Sequence, residues 1–119
     1  MKKLDFFEFK SKVDDGTPIV VKFKSDFCHV CNELEPDYNF VSTLFPGIEF
    51  YDIDINEEEE LAELFIKDGV PTIYFINDKT FKELKYPKNG FDKKSLNKAI
   101  KKIAEKLQWQ IKAIKKESL

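Results

Sequence analysis

The sequence has few of the side chains that bind metal ions, because only two cysteines and one histidine occur among its 119 residues. A structural zinc site needs four ligands, so a zinc site here would have to be shared across a dimer. Positive and negative side chains nearly balance, at a formal net charge of −2, and they are mixed along most of the chain. Nothing in this pattern indicates nucleic-acid binding. We therefore expect neither a metal nor a nucleic-acid partner.

Long apolar runs are also missing from the sequence. No segment approaches the roughly 20 residues of a membrane-spanning helix. Acidic side chains interrupt residues 1–8, where a secretory signal needs a continuous apolar stretch. We expect a cytoplasmic protein without a transmembrane segment; a signal removed ahead of Met1 is the alternative. The length suits a single domain over residues 1–119, and twelve phenylalanines can fill its core.

Both cysteines lie at one junction, between a predicted strand over residues 19–24 and a helix predicted to start near Cys28. A thiol at a helix start faces unpaired backbone N–H groups and the positive end of the helix dipole, which lower its pKa. Cys28 is therefore the expected nucleophile. Cys31 lies one turn deeper, close enough to attack a mixed disulfide on Cys28 and release the bound partner. This spacing in a cytosolic protein favours redox chemistry.

Two other interpretations of the cysteine pair stay open at this point. In the first, both thiols are buried and inert. In the second, they form a permanent structural disulfide. A disulfide across so short a loop removes little entropy from the unfolded chain, so it would stabilise the fold only weakly.

The apolar periodicity of the first half of the chain predicts alternating helices and strands. We expect a first helix over residues 4–13, with a short strand as the rival interpretation. The helix that starts at the cysteines is expected to run over residues 28–45 and to kink at Pro36, because proline removes one helical hydrogen bond. A strand over residues 48–53 should follow.

The second half of the chain continues with a helix for which Asn56 is the expected N-cap. The acidic run after Asn56 complements the helix dipole on a solvated face and is not expected to bind metal. Strands over residues 70–76 and 81–86 should form an antiparallel hairpin. Asp92 then caps a long final helix that continues to residue 116.

This order of elements, together with several motifs, resembles the thioredoxin family over roughly residues 4–107. Cys28 and Cys31 match the redox cysteines of the family. The other matching residues are the proline of the active-site helix, the Val-Pro-Thr segment and the glycine before the last helix, namely Pro36, Val70, Pro71, Thr72 and Gly90. The resemblance implies an α/β thioredoxin fold, with a central mixed β-sheet flanked by helices and, in this chain, an extended C-terminal helix.

The resemblance also implies a substrate-binding surface beside Cys28. In the family the proline that Pro71 matches follows a cis peptide bond, and the adjacent backbone, here that of Val70, pairs with the bound substrate chain. Val70, Pro71 and Thr72 are therefore the expected substrate-binding residues. A proline with a role in folding only is the alternative for Pro71.

The residues around the cysteines depart from the family pattern, which is Trp-Cys-Gly-Pro-Cys. Phe27 precedes Cys28 here, and His29 and Val30 stand between the cysteines. We expect these three residues to tune the redox pair. A protonated His29 would stabilise the Cys28 thiolate and make the disulfide a stronger oxidant. A solvent-facing His29 with little effect is the alternative.

Lys22 is a second departure, because thioredoxins have a buried aspartate there that moves the proton of the second cysteine. A charged lysine near Cys31 would lower the pKa of that thiol, whereas a buried neutral lysine would accept a proton itself. In the third interpretation the lysine reaches solvent and has no such role.

The predicted final helix is longer than the resemblance requires, and the extension carries Trp109, the only tryptophan. A partner-docking or self-association face and a weak membrane-surface face are two interpretations. In the third interpretation, the end of the helix folds back onto the domain or frays.

These expectations converge on a thiol-disulfide oxidoreductase that reduces or exchanges protein disulfides through Cys28 and Cys31. Its partners would be protein disulfide substrates and an upstream thiol reductase, and it would need no cofactor beyond the redox-active disulfide. An isomerase or oxidant is a variant of the same chemistry. A binding or adaptor module with little redox turnover is the alternative from another class, and a thiol peroxidase or glutathione-dependent enzyme is a lesser rival.

Overall fold

Helices and strands follow one another in the order that the sequence predicts. The structure, a computed structural model, describes residues 1–78 and 80–117, with side chains described only up to residue 107. Within these residues the elements are α1 (Phe6–Asp15), β1 (Ile19–Lys24), α2 (His29–Ser42), β2 (Glu49–Asp54), α3 (Glu59–Phe65), β3 (Thr72–Asn77), β4 (Thr80–Glu83) and α4 (Lys93–Glu117).

The strands form one mixed sheet in the order β2-β1-β3-β4. β1 pairs parallel to β2 and antiparallel to β3, and β4 continues the sheet as an antiparallel neighbour of β3. Lys3, which belongs to none of these strands, forms an isolated parallel bridge with Asp52 of β2. The predicted mixed sheet with an extended last helix is therefore confirmed, and β1 lies in its interior.

α1 is a helix, and the rival interpretation of a strand is wrong. Its first turn is held by a capping box, in which Asp5 Oδ1 accepts from the Glu8 N–H at 2.8 Å and Glu8 Oε1 accepts from the Asp5 N–H at 3.2 Å. The helix ends at Gly16, whose φ of 74° is a left-handed conformation that glycine adopts without a Cβ clash.

The two faces of the sheet pack against different helices. On one face, alternate residues of β1 such as Val21 and Phe23 join Phe9 of α1 and Leu61 of α3 in one core cluster. On the other face, buried side chains of α2 and α4 form a second cluster around Val20. Because side chains alternate along a strand, Lys22 points to the same face as Val20, toward α2.

Three local predictions need correction. α3 has Glu58 as its N-cap and makes no side-chain cap hydrogen bond, so the N-cap expected at Asn56 is wrong. The Asn56 N–H instead bonds to Asp54 Oδ1 at 2.8 Å, which holds Asn56 in the turn before the helix. β4 ends at Glu83 and not near residue 86, and α2 ends at Ser42 before the predicted residue 45.

Candidate active site

Cys28 occupies the N-cap of α2, directly after the loop that leaves β1. Its backbone N–H donates to the Ser25 carbonyl at 3.1 Å. The Cys31 N–H donates to Cys28 Sγ at 3.1 Å. The sulfur thus takes the place of the oxygen acceptor that usually caps a helix. A thiolate at this position would receive the same hydrogen bond and the positive end of the helix dipole.

Cys28 and Cys31 are joined by a disulfide, with their Cα atoms 5.2 Å apart. The two sulfurs differ in accessibility, because Cys31 is only 2% exposed whereas Cys28 is half-buried. An approaching protein can therefore reach Cys28 but not Cys31. The geometry allows an exchange that begins at Cys28 and is completed by Cys31.

The Val-Pro-Thr segment lies against this pair. The Val70-Pro71 peptide bond is cis, and Cys28 Sγ lies 3.8 Å from the Val70 carbonyl oxygen. Pro71 and Thr72 are buried, and Thr72 Oγ1 donates to the Gly69 carbonyl at 2.6 Å. The structure therefore brings the Val70 carbonyl beside Cys28.

Two grooves are lined by residues next to the cysteines in sequence or in space. One groove, of about 530 Å³, is lined by Val70 and Pro71. The other, of about 590 Å³, is lined by Val30. Tyr86 and Phe91 line both grooves, and their rings meet edge to face with centroids 5.2 Å apart. These two aromatic residues were not predicted from the sequence; their only signal was their place on either side of the Gly90 that marks the loop before the last helix.

Phe27, His29 and Val30 all lie at the surface around the cysteines. Phe27 is 92% exposed, directly before Cys28. His29 Nε2 lies 2.9 Å from Glu33 Oε1, one turn along α2, and both side chains are exposed. The partner of His29 is therefore a carboxylate on the helix surface. Phe27 and Val30 add exposed apolar surface next to the cysteines.

Lys22 is buried beneath α2, so the interpretation in which it reaches solvent is wrong. Its side chain is 1% exposed, and Nζ lies 3.5 Å from Asp52 Oδ1 and 4.5 Å from the centre of the Tyr38 ring. Burial lowers the pKa of Lys22, and the Asp52 carboxylate partly offsets that effect. Burial raises the pKa of Asp52, and Lys22 partly offsets that effect in turn.

The surroundings of this ion pair provide little other hydrogen bonding. Within the described residues, Asp52 Oδ1 is buried and has no hydrogen-bond partner. The Tyr38 hydroxyl is directed elsewhere, because it donates to the backbone carbonyls of Tyr51 at 2.8 Å and Val20 at 3.2 Å. Asp52 was missed as a site residue, although the parallel register of β1 and β2 places it directly opposite Lys22.

The surface expected at the end of the last helix lies outside the described side chains. The backbone of α4 continues to Glu117, but Trp109 follows the last residue whose side chain is described. Among the helices of the described residues, none combines the length and apolar character needed to cross a membrane. In the same part of the chain, no three His, Cys, Asp or Glu side chains are grouped as metal ligands.

Known proteins with similar sequences and structures point to one family. The family model described as Thioredoxin matches residues 1–102. A thioredoxin of Geodia cydonium is 31% identical over 100 residues, which cover 84% of this chain and 92% of that protein. A rice (Oryza sativa subsp. indica) thioredoxin H-type is 30% identical over 63 residues, and the match spans 53% of this chain and about half, 52%, of the rice protein.

The solved structures extend this result to the fold. A Plasmodium falciparum thioredoxin matches 86% of this chain and 98% of its own length, with a TM-score of 0.75 at 22% sequence identity. Mitochondrial thioredoxin 3 from Saccharomyces cerevisiae matches 86% of this chain and 94% of its own length, with a TM-score of 0.74 at 21% identity. These likenesses confirm the predicted thioredoxin fold.

Proposed function

This chain belongs to the thioredoxin family, and on that premise we propose that it reduces or exchanges protein disulfides through Cys28 and Cys31. One observation carries the proposal. The two cysteines are paired at the start of α2, with Cys28 accessible and Cys31 buried. An inert buried pair would not leave one sulfur accessible beside a groove.

The reaction balances as a two-electron exchange between two dithiol-disulfide pairs. The Cys28 thiolate attacks one sulfur of a substrate disulfide, and the other substrate sulfur leaves as a thiolate. Cys31, as a thiolate, then attacks Cys28 Sγ in the mixed disulfide. The second substrate thiolate leaves, and Cys28 and Cys31 end as a disulfide. The substrate has gained two electrons and two protons, and an upstream thiol reductase restores the reduced protein.

The residues around the pair have proposed roles in this exchange. Val70, Pro71 and Thr72 bind the substrate chain next to Cys28, which the contact between Cys28 and the Val70 carbonyl supports. His29 and the exposed Phe27 and Val30 tune the redox pair or its contact with substrate.

Lys22 and Asp52 are proposed to serve Cys31 from beneath α2. The Asp52 carboxylate, whose pKa burial raises, can accept the proton that the Cys31 thiol releases when it ionises, and Lys22 Nζ lies 3.5 Å from Asp52 Oδ1. This proposal replaces the single buried carboxylate that the resemblance implied with a pair from two adjacent strands.

The biological setting is also a proposal. A cytoplasmic location suits a dithiol that must be re-reduced, and the redox-active disulfide needs no other cofactor. The extension of α4 remains a proposed contact for a partner or for a second copy. The sequence feature that supports it is the Trp109 segment.

The test combines turnover with trapping. Wild type should reduce a disulfide-bonded peptide in the presence of a thiol donor, and Cys28→Ser should abolish this turnover. Cys31→Ser should instead accumulate a mixed disulfide with the peptide through Cys28, visible by mass spectrometry, because the resolving thiol is missing. If Cys28→Ser binds partners as wild type does and wild type shows no turnover, the adaptor alternative replaces the enzyme.

The direction of the reaction follows from the reduction potential of the pair, measured in glutathione buffers. A potential near about −270 mV, the value of thioredoxin, would support a reductase. A value between about −180 and −120 mV would support the isomerase or oxidant variant.

A further inference from the structure

The loop that presents Cys28 is tied to a neighbouring turn through one buried hydroxyl. Ser25 directly follows β1 and is 7% exposed. Its Oγ accepts from the Phe27 N–H at 3.2 Å and from Asn56 Nδ2 at 2.9 Å. Its carbonyl accepts from the Cys28 N–H. Ser25 therefore holds two consecutive N–H groups of the cysteine loop and one side chain from elsewhere in the chain.

Asn56 is itself fixed on the turn between β2 and α3. Its own N–H bonds to Asp54 Oδ1 at 2.8 Å. The preceding residue, Ile55, donates its N–H to the Lys24 carbonyl at 3.0 Å, at the end of β1. The turn is thus docked onto the start of the cysteine loop at two points, and the Asn56 amide meets Ser25 from a position set by backbone hydrogen bonds.

We infer that Ser25 and Asn56 are positioning residues that hold Cys28 at the N-cap of α2, an inference that rests on the proposed redox function. They do not touch the sulfurs. Their hydrogen bonds fix the backbone from residue 25 to residue 28, and this backbone sets the direction of the Cys28 side chain. With the backbone held in this way, Cys28 Sγ stays in position to accept the hydrogen bond from the Cys31 N–H.

The consequence appears in the reduced protein. A thiolate gains most from a helix N-terminus when the sulfur stays aligned with the N–H groups there. Without the Asn56 amide, Ser25 Oγ loses one of its two donors, and the loop samples positions in which Cys28 Sγ is not aligned with the Cys31 N–H. The pKa of the Cys28 thiol should then rise.

The experiment measures the rate of alkylation of Cys28 by iodoacetamide against pH in the reduced full-length protein. Asn56→Ala and Ser25→Ala should each shift the midpoint to higher pH and lower the rate at pH 6 by about three- to tenfold. The double variant should behave like Ser25→Ala, because that substitution already removes the hydrogen bond from Asn56 together with the one from the Phe27 N–H. Ser25→Thr keeps an Oγ acceptor and should recover most of the wild-type rate.

The charges around Cys28 do not change in this series. Lys24 at the end of β1, Asp26 on the loop, His29 on α2 and Asp68 beside the Val70 segment are all retained, so a shift in the profile reports alignment. Asn97→Ala on α4 is the matched control and should follow wild type. Circular dichroism melting of each variant separates a displaced loop from lost folding.

The outcomes separate this inference from the proposed function. The positioning role would be overturned if wild type shows turnover and the folded Asn56→Ala and Ser25→Ala variants follow the wild-type pH profile of alkylation. The redox function would then remain intact. Equal rate losses that add up in the double variant would also overturn it, since the two residues would then act independently. A wild-type protein without turnover would contradict the proposed function itself.

Discussion

The two faces of the sheet use burial in opposite ways. On the face covered by α1 and α3, Phe65 contacts the rings of Phe9, Phe23 and Tyr74 with centroids 5.3 to 5.6 Å apart. On the face covered by α2 and α4, the same central strand buries Lys22 against Asp52. The first face packs aromatic rings together, whereas the second, besides its own apolar cluster, carries the desolvation of two charged groups.

The informative difference between the two faces is the location of the charge pair. Burying an ion pair often contributes no net stability compared with apolar side chains of similar size. The aromatic face shows that this chain can fill the space beside β1 with rings. The pair lies instead under the helix that carries both cysteines, which is where charge is useful to a thiol. We therefore interpret the charge pair as part of the reaction centre, on a face that is otherwise packed by its own apolar cluster.

The largest expected effect is on the aromatic face. Phe23→Ala removes a fully buried ring and should lower the free energy of unfolding by about 3 to 5 kcal/mol, measured by urea denaturation. Phe81→Ala is the matched control, because Phe81 also contacts Phe65 but is 43% exposed; it should cost about 1 kcal/mol or less. The reduction potential of folded Phe23→Ala should equal that of wild type, and a changed potential would contradict the division between the faces.

A smaller loss is expected from breaking the charge pair. Lys22→Ala leaves Asp52 buried without a partner and should cost about 3 kcal/mol in the same assay. The double variant Lys22→Met with Asp52→Leu removes both charges and should recover wild-type stability or exceed it. The turnover of this double variant should be well below that of wild type. Restored stability with full turnover would show that the pair has no part in the chemistry.

The smallest effect is a pH dependence of stability. Burial raises the pKa of folded Asp52 above its unfolded value of about 3.9. The stability associated with the protonated carboxyl is therefore fully present below pH about 3.9 and is lost as pH rises through the raised folded pKa. The unfolding free energy of wild type minus that of Asp52→Asn should fall from pH 3.5 to pH 7. A difference that rises with pH would contradict the raised pKa.

The fold was accessible from the sequence because its signals are local. Apolar periodicity marks α2 and α4, and β-branched residues mark β1. The capping residue of α4 was also correctly predicted, since Asp92 Oδ1 accepts from the Ser95 N–H at 2.8 Å. Such patterns need only neighbours in the chain.

The remaining parts of the site depend on contacts between distant residues. Asn56 looked like a helix cap because its type and place suit one, but its side chain bonds to Ser25, 31 residues earlier. Lys22 left three interpretations open, because neither its burial nor its partner is visible until β1 and β2 are aligned. Tyr86 and Phe91 reach the site only because the loop between β4 and α4 folds over the grooves.

The edges of the sheet have a consequence for the behaviour of the protein in concentrated solution. An exposed edge of a sheet can pair with a strand from a second copy of the protein. On one side, residues 2–4 occupy part of the β2 edge, because the Leu4 N–H donates to the Asp52 carbonyl and the Asp52 N–H donates to the Lys2 carbonyl. On the other side, β4 has only four residues, all exposed and including Lys82 and Glu83. A short, charged edge gives another strand little backbone to join, so the protein should resist aggregation through edge pairing.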